Sequence, residues 1–300
     1  MDYSIVLKVA PVLLIFVLGI ILRRINAVTE ETADSFLRFV FYVSFPASIL
    51  LSITNIKFSL ELIYLPITAA SIIIISYFAA KKIGVFFKLS QPAFGVFLVG
   101  SMIINTGFTY PFFIAAYGQD GFARAALFDF GNGLLVLSFV YFIAIKYGTN
   151  QESTKIVKKF MTSSPLWALL IAFMLNFTQL KLPAIAVEFL NLLSDTLIPL
   201  FMISLGIRFT PRIVNPKALI SAILIRMFFG LLLGIIFVNI FRLDGLNKIV
   251  VLVSSAAPVG LNTLTFATME NLDTEFAASL VSISVLIGII LTTVLISVLS

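Results

Sequence analysis

The chain has 300 residues, 60% of them hydrophobic and only 11% charged, with a mean hydropathy of +1.13. That much apolar surface cannot be hidden in one water-soluble core, which excludes an ordinary soluble domain. The net charge of +6 falls in short segments between apolar runs, as on membrane flanks, and this argues against nucleic acid as a partner; with no Cys and no His, disulfides, thiolate chemistry, zinc sites and imidazole relays are excluded too.

A membrane-crossing helix needs about 20 mostly apolar residues. Hydropathy predicts ten such runs, at 4–22, 34–53, 62–80, 92–117, 122–146, 165–180, 185–207, 218–241, 247–269 and 275–299. The first follows only Met1-Asp2-Tyr3, contains Lys8 and has Arg23-Arg24 behind it, with no basic leader ahead. It reads as a retained span, not as a cleaved signal peptide. The longest polar interruption, Lys146 to Ser164, is predicted to hold a linker over 149–164, between a first half at 1–148 and a second at 165–300. The lipid bilayer is the first partner such a chain requires.

Orientation follows from the basic residues, because short cytoplasmic loops carry the excess. Loops after odd-numbered spans hold Arg23, Arg24, Lys81, Lys82, Lys88, Lys146, Lys155, Lys158, Lys159, Arg208, Arg212 and Lys217, which is 12; loops after even-numbered spans hold Lys57, Arg124, Lys181, Arg242 and Lys248, which is 5. Both termini are therefore expected outside the cell membrane and the central linker in the cytoplasm.

Five spans per half imply that the second half enters the membrane from the opposite side. Pro46 of span 2 and Pro199 of span 7 are separated by 199 − 46 = 153 residues, Gly107 and Gly260 by 260 − 107 = 153, and Asp120 and Asp273 by 273 − 120 = 153; Pro11 and Pro165 differ by 154. Coincidence is the plainer reading of any one pair. Four pairs at equivalent points in the span order favour an inverted duplication, with Pro46 and Pro199 as matching helix-break or hinge positions.

Span 4 contains Asn105-Thr106-Gly107-Phe108-Thr109-Tyr110-Pro111, and span 9 contains Pro258-Val259-Gly260-Leu261-Asn262-Thr263. Pro removes a backbone donor and Gly relaxes the chain, so both helices are expected to break in mid-membrane. A single such span would more simply be kinked. Two in symmetric positions point to the binding site of a transporter, where free backbone and half-helix N-termini meet a polar or anionic solute. The amides of Asn105 and Asn262 and the hydroxyls of Thr106, Thr109 and Thr263 complete the candidate site, with Tyr110, Pro111, Val259 and Leu261 in the same segments.

Intramembrane charges are costly and usually face a bundle interior. Asp129 in span 5 and Arg226 in span 8 lie deepest, with Asn132 one turn from Asp129 and Asp195 of span 7 nearer the outer face. Asp129 and Arg226 are candidates for an ion pair, and equally for coupling or for holding a solute carboxylate. Lys8 and Arg38 lie near span ends and are expected to snorkel. Asp129-Phe130-Gly131 spells a kinase triplet, but no nucleotide loop accompanies it.

These segments, Asn105-Thr106-Gly107 before Pro111 and Pro258-Val259-Gly260-Leu261-Asn262, within ten spans in two inverted halves, resemble the auxin efflux carrier family in a compact prokaryotic form. The resemblance covers essentially the whole chain. It implies a fold similar to the bile acid and sodium symporters, with broken spans 4 and 9 crossing at the substrate site. It further implies a scaffold of spans 1, 2, 6 and 7, a transport domain of spans 3 to 5 and 8 to 10, and elevator-like movement between them. Plant members export an indole carboxylate, and prokaryotic members are associated with malate, malonate or similar carboxylates. Only a short linker stands where plant proteins have a long cytoplasmic loop, so the resemblance carries the transport core and not the loop's regulation.

The expectation is thus an all-α integral membrane protein that moves a small organic anion and is not an enzyme, without cofactor or bound metal, by uniport or coupled to H+ or Na+. The alternatives are a coupled symporter of a bile-acid-like or other amphipathic solute, a channel, and an intramembrane hydrolase using Asp129 with Asp195. A homodimer is compatible with such a chain.

Overall fold

The computed structural model describes residues 3–57, 59–149, 163–209 and 211–299, the side chains of residues 3–6 excepted. The linker expected over 149–164 falls almost wholly outside the described residues. Those described are helical: α1 (Tyr3–Arg24), α2 (Glu30–Asn55), α3 (Leu60–Phe87), α4 (Gln91–Met102), α5 (Thr106–Tyr147), α6 (Ser164–Phe177), α7 (Ala184–Ile207), α8 (Pro216–Phe241), α9 (Gly245–Ser255), α10 (Asn262–Met269) and α11 (Thr274–Leu299). Six of these, α2, α3, α5, α7, α8 and α11, are long and apolar enough to cross a membrane, and α4, α6 and α9 are shorter apolar helices. Leu14, Phe78, Phe142 and Ile290 are among the large apolar side chains left exposed on the outside, as lipid contact demands. The chain is a multi-pass membrane protein.

Local chemistry sets several boundaries. Thr29 caps α2 in a reciprocal box with Thr32, and Ser90 caps α4 by accepting from the Ala93 N–H. Within α2 a π turn at Val40–Ser44 precedes Pro46; the carbonyl of Tyr42, four residues before that proline, accepts from the Ser164 hydroxyl instead. α7 is interrupted at Thr196, three residues before Pro199. These two joints face each other, Ser44 against Thr196 at 2.7 Å and Ser48 against Ser194 at 2.6 Å. Hydropathy anticipated a loop at 118–121 between spans 4 and 5. The structure has instead a single turn at Gly118 (φ 61, ψ −150), a conformation that glycine adopts without a Cβ penalty, and helix on either side of it.

α1 packs along α7, and α2 packs against α6 and α7. α3 packs on α4 and α5, while α9 packs on α5 and α8. Left-handed residues recur along the chain at matching helix ends. Asn26 (φ 56) after α1 and Gln179 (φ 56) after α6 are 179 − 26 = 153 apart, Lys88 (φ 48) and Arg242 (φ 52) are 242 − 88 = 154 apart, and Gly118 (φ 61) and Asn271 (φ 53) are 271 − 118 = 153 apart.

Candidate functional site

Between α4 and α5 the backbone leaves the helix at Ile103 (φ −71, ψ 121) and re-enters at Thr106; between α9 and α10 it does so over residues 256–261. The two non-helical segments cross and pair. Ile104 and Val259 form an antiparallel bridge, with the Asn105 N–H donating to the Pro258 carbonyl at 3.0 Å and the Gly260 N–H to the Ile103 carbonyl at 3.1 Å. Gly260 is required by this approach, because a Cβ there would lie 2.2 Å from Ile103. Buried backbone must be satisfied, and the following helices do it: Asn132 of α5 accepts from the Ile104 N–H (3.3 Å) and donates to the Ile104 carbonyl (3.1 Å), while Ser284 of α11 accepts from the Val259 N–H (3.0 Å).

The two asparagines singled out in the sequence are used differently. Asn105 is buried with both ends of its amide occupied, Oδ1 accepting from the Phe108 N–H at 3.2 Å as the cap of α5 and Nδ2 donating to the Val259 carbonyl at 3.3 Å. Asn262 is exposed at the start of α10, with no partner for its amide among the described residues. Thr106, Tyr110 and Asn132 all donate to the Asp129 carboxylate, the last two at 2.8 Å.

A cavity of about 540 Å³ opens beside the crossing. Its polar end is formed by Asn105, Thr106, Gly107, Tyr110, Asp129, Asn132, Gly260, Leu261, Asn262 and Thr265. Its opposite wall is apolar and comes from α2, α6 and α7, with Phe41, Phe45, Leu169 and Phe201 among its residues. Ser163 and Pro165, at the start of α6, and Leu134 and Leu137, within α5, also line it. Among the described residues no Lys or Arg lines it, and Asp129 is its one carboxylate. Thr106 and Gly107 begin α5 at this wall and Asn262 begins α10, whose next N–H groups are taken by the Gly260 and Leu261 carbonyls.

Other expected site residues lie off the cavity wall. Thr109 is buried and bonds the Thr106 carbonyl at 2.8 Å, Thr263 is buried without a hydroxyl partner, and Pro111, Pro258 and Val259 serve the backbone around the break. The ion pair considered between Asp129 and Arg226 is not formed. Arg226 is fully buried and directs Nη2 to the Ser255 carbonyl (2.6 Å) and Nε to the Ala257 carbonyl (3.4 Å), because the interrupted end of α9 presents carbonyls that need donors. Asp195 is exposed on α7 and lines no part of this cavity, so it makes no carboxylate pair with Asp129. Lys8 and Arg38 are exposed, in keeping with positions at the membrane surface. Sequence reasoning missed Thr265, and it missed Phe45, Leu169 and Phe201, whose apolar character signals lipid contact just as well as a cavity wall.

The family model described as membrane transport protein matches residues 4–296. The chain belongs to this family, the auxin efflux carrier family of the resemblance above. An uncharacterized transporter of Methanocaldococcus jannaschii is 29% identical over 286 residues, covering 91% of this chain and 92% of that protein. A second uncharacterized transporter, from Methanothermobacter thermautotrophicus, is 28% identical over 293 residues and covers 94% of each. The protein is a membrane transporter, and the crossing with its cavity is the candidate site of this transporter.

Proposed function

We propose that this transporter carries a small organic anion, bound by its carboxylate at the crossing beside the free amide of Asn262. That amide carries the reading: a polar group without a partner, at a helix N-terminus, facing a cavity. The first turn of α5 faces the same space and adds donors. Because the rest of the wall is largely aliphatic and aromatic and holds no cation among the described residues, a monocarboxylate with an apolar body suits it better than malate or malonate, whose second charge would meet no partner there. Asp129 then takes the coupling ion, H+ or Na+, rather than the solute.

We read the helices as ten spans in two inverted halves, α4 with residues 106–117 and α9 with α10 each making one interrupted span. The 12 residues of α4 rise about 18 Å, well short of the roughly 30 Å hydrocarbon layer. The three matched pairs of left-handed residues support the repeat. So does the capping of Ile104 by Asn132 and of Val259 by Ser284. Packing of α1, α2, α6 and α7 on one another supports a scaffold, against which the remaining helices move as the elevator. The basic loops support both termini lying outside the cell membrane.

The test is counterflow of labelled phenylacetate and malonate into liposomes holding the purified protein. Saturable counterflow is expected, stronger for phenylacetate. If neither these nor any acid in a broad carboxylate panel is moved, the reading fails. Varying the proton and sodium gradients separately identifies the coupling ion, and Asp129→Asn should remove the dependence.

A further inference from the structure

We propose that Arg226 is a positioning residue for the crossing: it holds the interrupted end of α9 by its carbonyls and so fixes where Asn262 stands. Only the kinetic arm of the test rests on the carrier reading above.

Most backbone groups of the interruption have a partner elsewhere. The Ala256 N–H donates to the Leu252 and Val253 carbonyls and the Ala257 N–H to Ser254. Beyond the proline, the Pro258 carbonyl is taken by the Asn105 N–H, the Val259 N–H by Ser284, the Val259 carbonyl by the Asn105 amide, and the Gly260 N–H by the Ile103 carbonyl. The carbonyls of Ser255, Ala256 and Ala257 remain, and Arg226 supplies donors to the first and the third.

α8 is shaped for this delivery. A π turn at Leu224–Phe229 contains Arg226, and such turns re-aim a side chain that a regular helix would send elsewhere. Gly230, one turn on, leaves the room: a Cβ there would lie 2.6 Å from the Ser255 carbonyl oxygen and 2.9 Å from Nη2 of Arg226. Among the described residues no carboxylate pairs with Arg226, so it sits as an uncompensated buried cation at a helix C-terminus, where the carbonyl dipoles favour it. It lines no part of the cavity. A geometric role explains a fully buried guanidinium that touches backbone alone, whereas a solute-binding one would face the solute.

The native chain has no cysteine, so Ile104→Cys with Val259→Cys reports the crossing without background. Bridged residues of this kind have Cα atoms about 4.5 Å apart, within disulfide reach. Iodine, which enters membranes, should cross-link the pair readily. Arg226→Gln and Gly230→Ala should each slow cross-linking about tenfold and raise KM for phenylacetate by a similar factor, with kcat changed less than twofold. Arg226→Lys, which keeps the charge but offers a single nitrogen, should be impaired as Arg226→Gln is. Unchanged cross-linking in both Arg226→Gln and Gly230→Ala overturns the proposal, and so does full recovery with lysine, which would make charge the operative property. If Arg226→Gln does not fold, Gly230→Ala decides. A wild type that cross-links but takes up no phenylacetate counts against the carrier reading, not against this assignment.

Discussion

Asn105 and Asn262 were indistinguishable as candidates in the sequence, and their surroundings divide their work. Asn105 is spent on the protein itself, capping α5 and tying the two breaks together. Replacing it with Ala removes a cap and leaves the buried Val259 carbonyl short of a donor, a cost of roughly 1–3 kcal/mol; Asn105→Ala should lower the melting temperature and abolish transport together. Asn262→Ala removes only a free group. It should leave the melting temperature unchanged while raising KM roughly tenfold to a hundredfold, the range for a hydrogen bond of about 1.5–3 kcal/mol to a charged acceptor. Thermal unfolding followed by uptake kinetics on the same preparations separates the two outcomes, and equal stability loss in both variants would contradict the division. Nothing in the sequence distinguishes them, because occupancy of an amide depends on which backbone groups reach it across the fold.

At the scale of elements, the residues that disturb helices were readable and the partners that receive them were not. Asn105, Pro258 and Gly260 lie where the chain departs from helix, whereas Gly107 and Pro111 lie within α5 and Asn262 begins α10. Arg226 was readable only as a deep charge; its acceptors are main-chain carbonyls, which carry no residue-type signal. Close helix packing was likewise silent. Gly19 of α1 and Gly206 of α7 approach so nearly that a Cβ on Gly206 would lie 2.2 Å from the Phe16 carbonyl oxygen. Gly206→Ala should therefore destabilise the α1 and α7 pair by about 1–3 kcal/mol. Gly133→Ala on α5 is the control: a Cβ there meets nothing within 4 Å and should be neutral or slightly stabilising. Comparable melting temperatures for the two variants would show that α1 and α7 can part without penalty.

For the whole molecule, what matters is that a cavity of about 540 Å³ ends on the crossing. Composition alone established a membrane protein, because the apolar share leaves no soluble alternative. The cavity was out of reach of that reasoning, since about a third of its lining residues come from α2, α6 and α7, whose phenylalanines and leucines suit lipid equally well. The reading that joins these facts is a carrier whose solute site lies at the crossing. The most direct measurement is a structure of the protein with phenylacetate bound. The account predicts the carboxylate within hydrogen-bond distance of the Asn262 amide and the first turn of α5, with the ring against Phe45 and Phe201. A solute found instead in the second cavity, of about 560 Å³ beside Lys57 and Lys181, would contradict it.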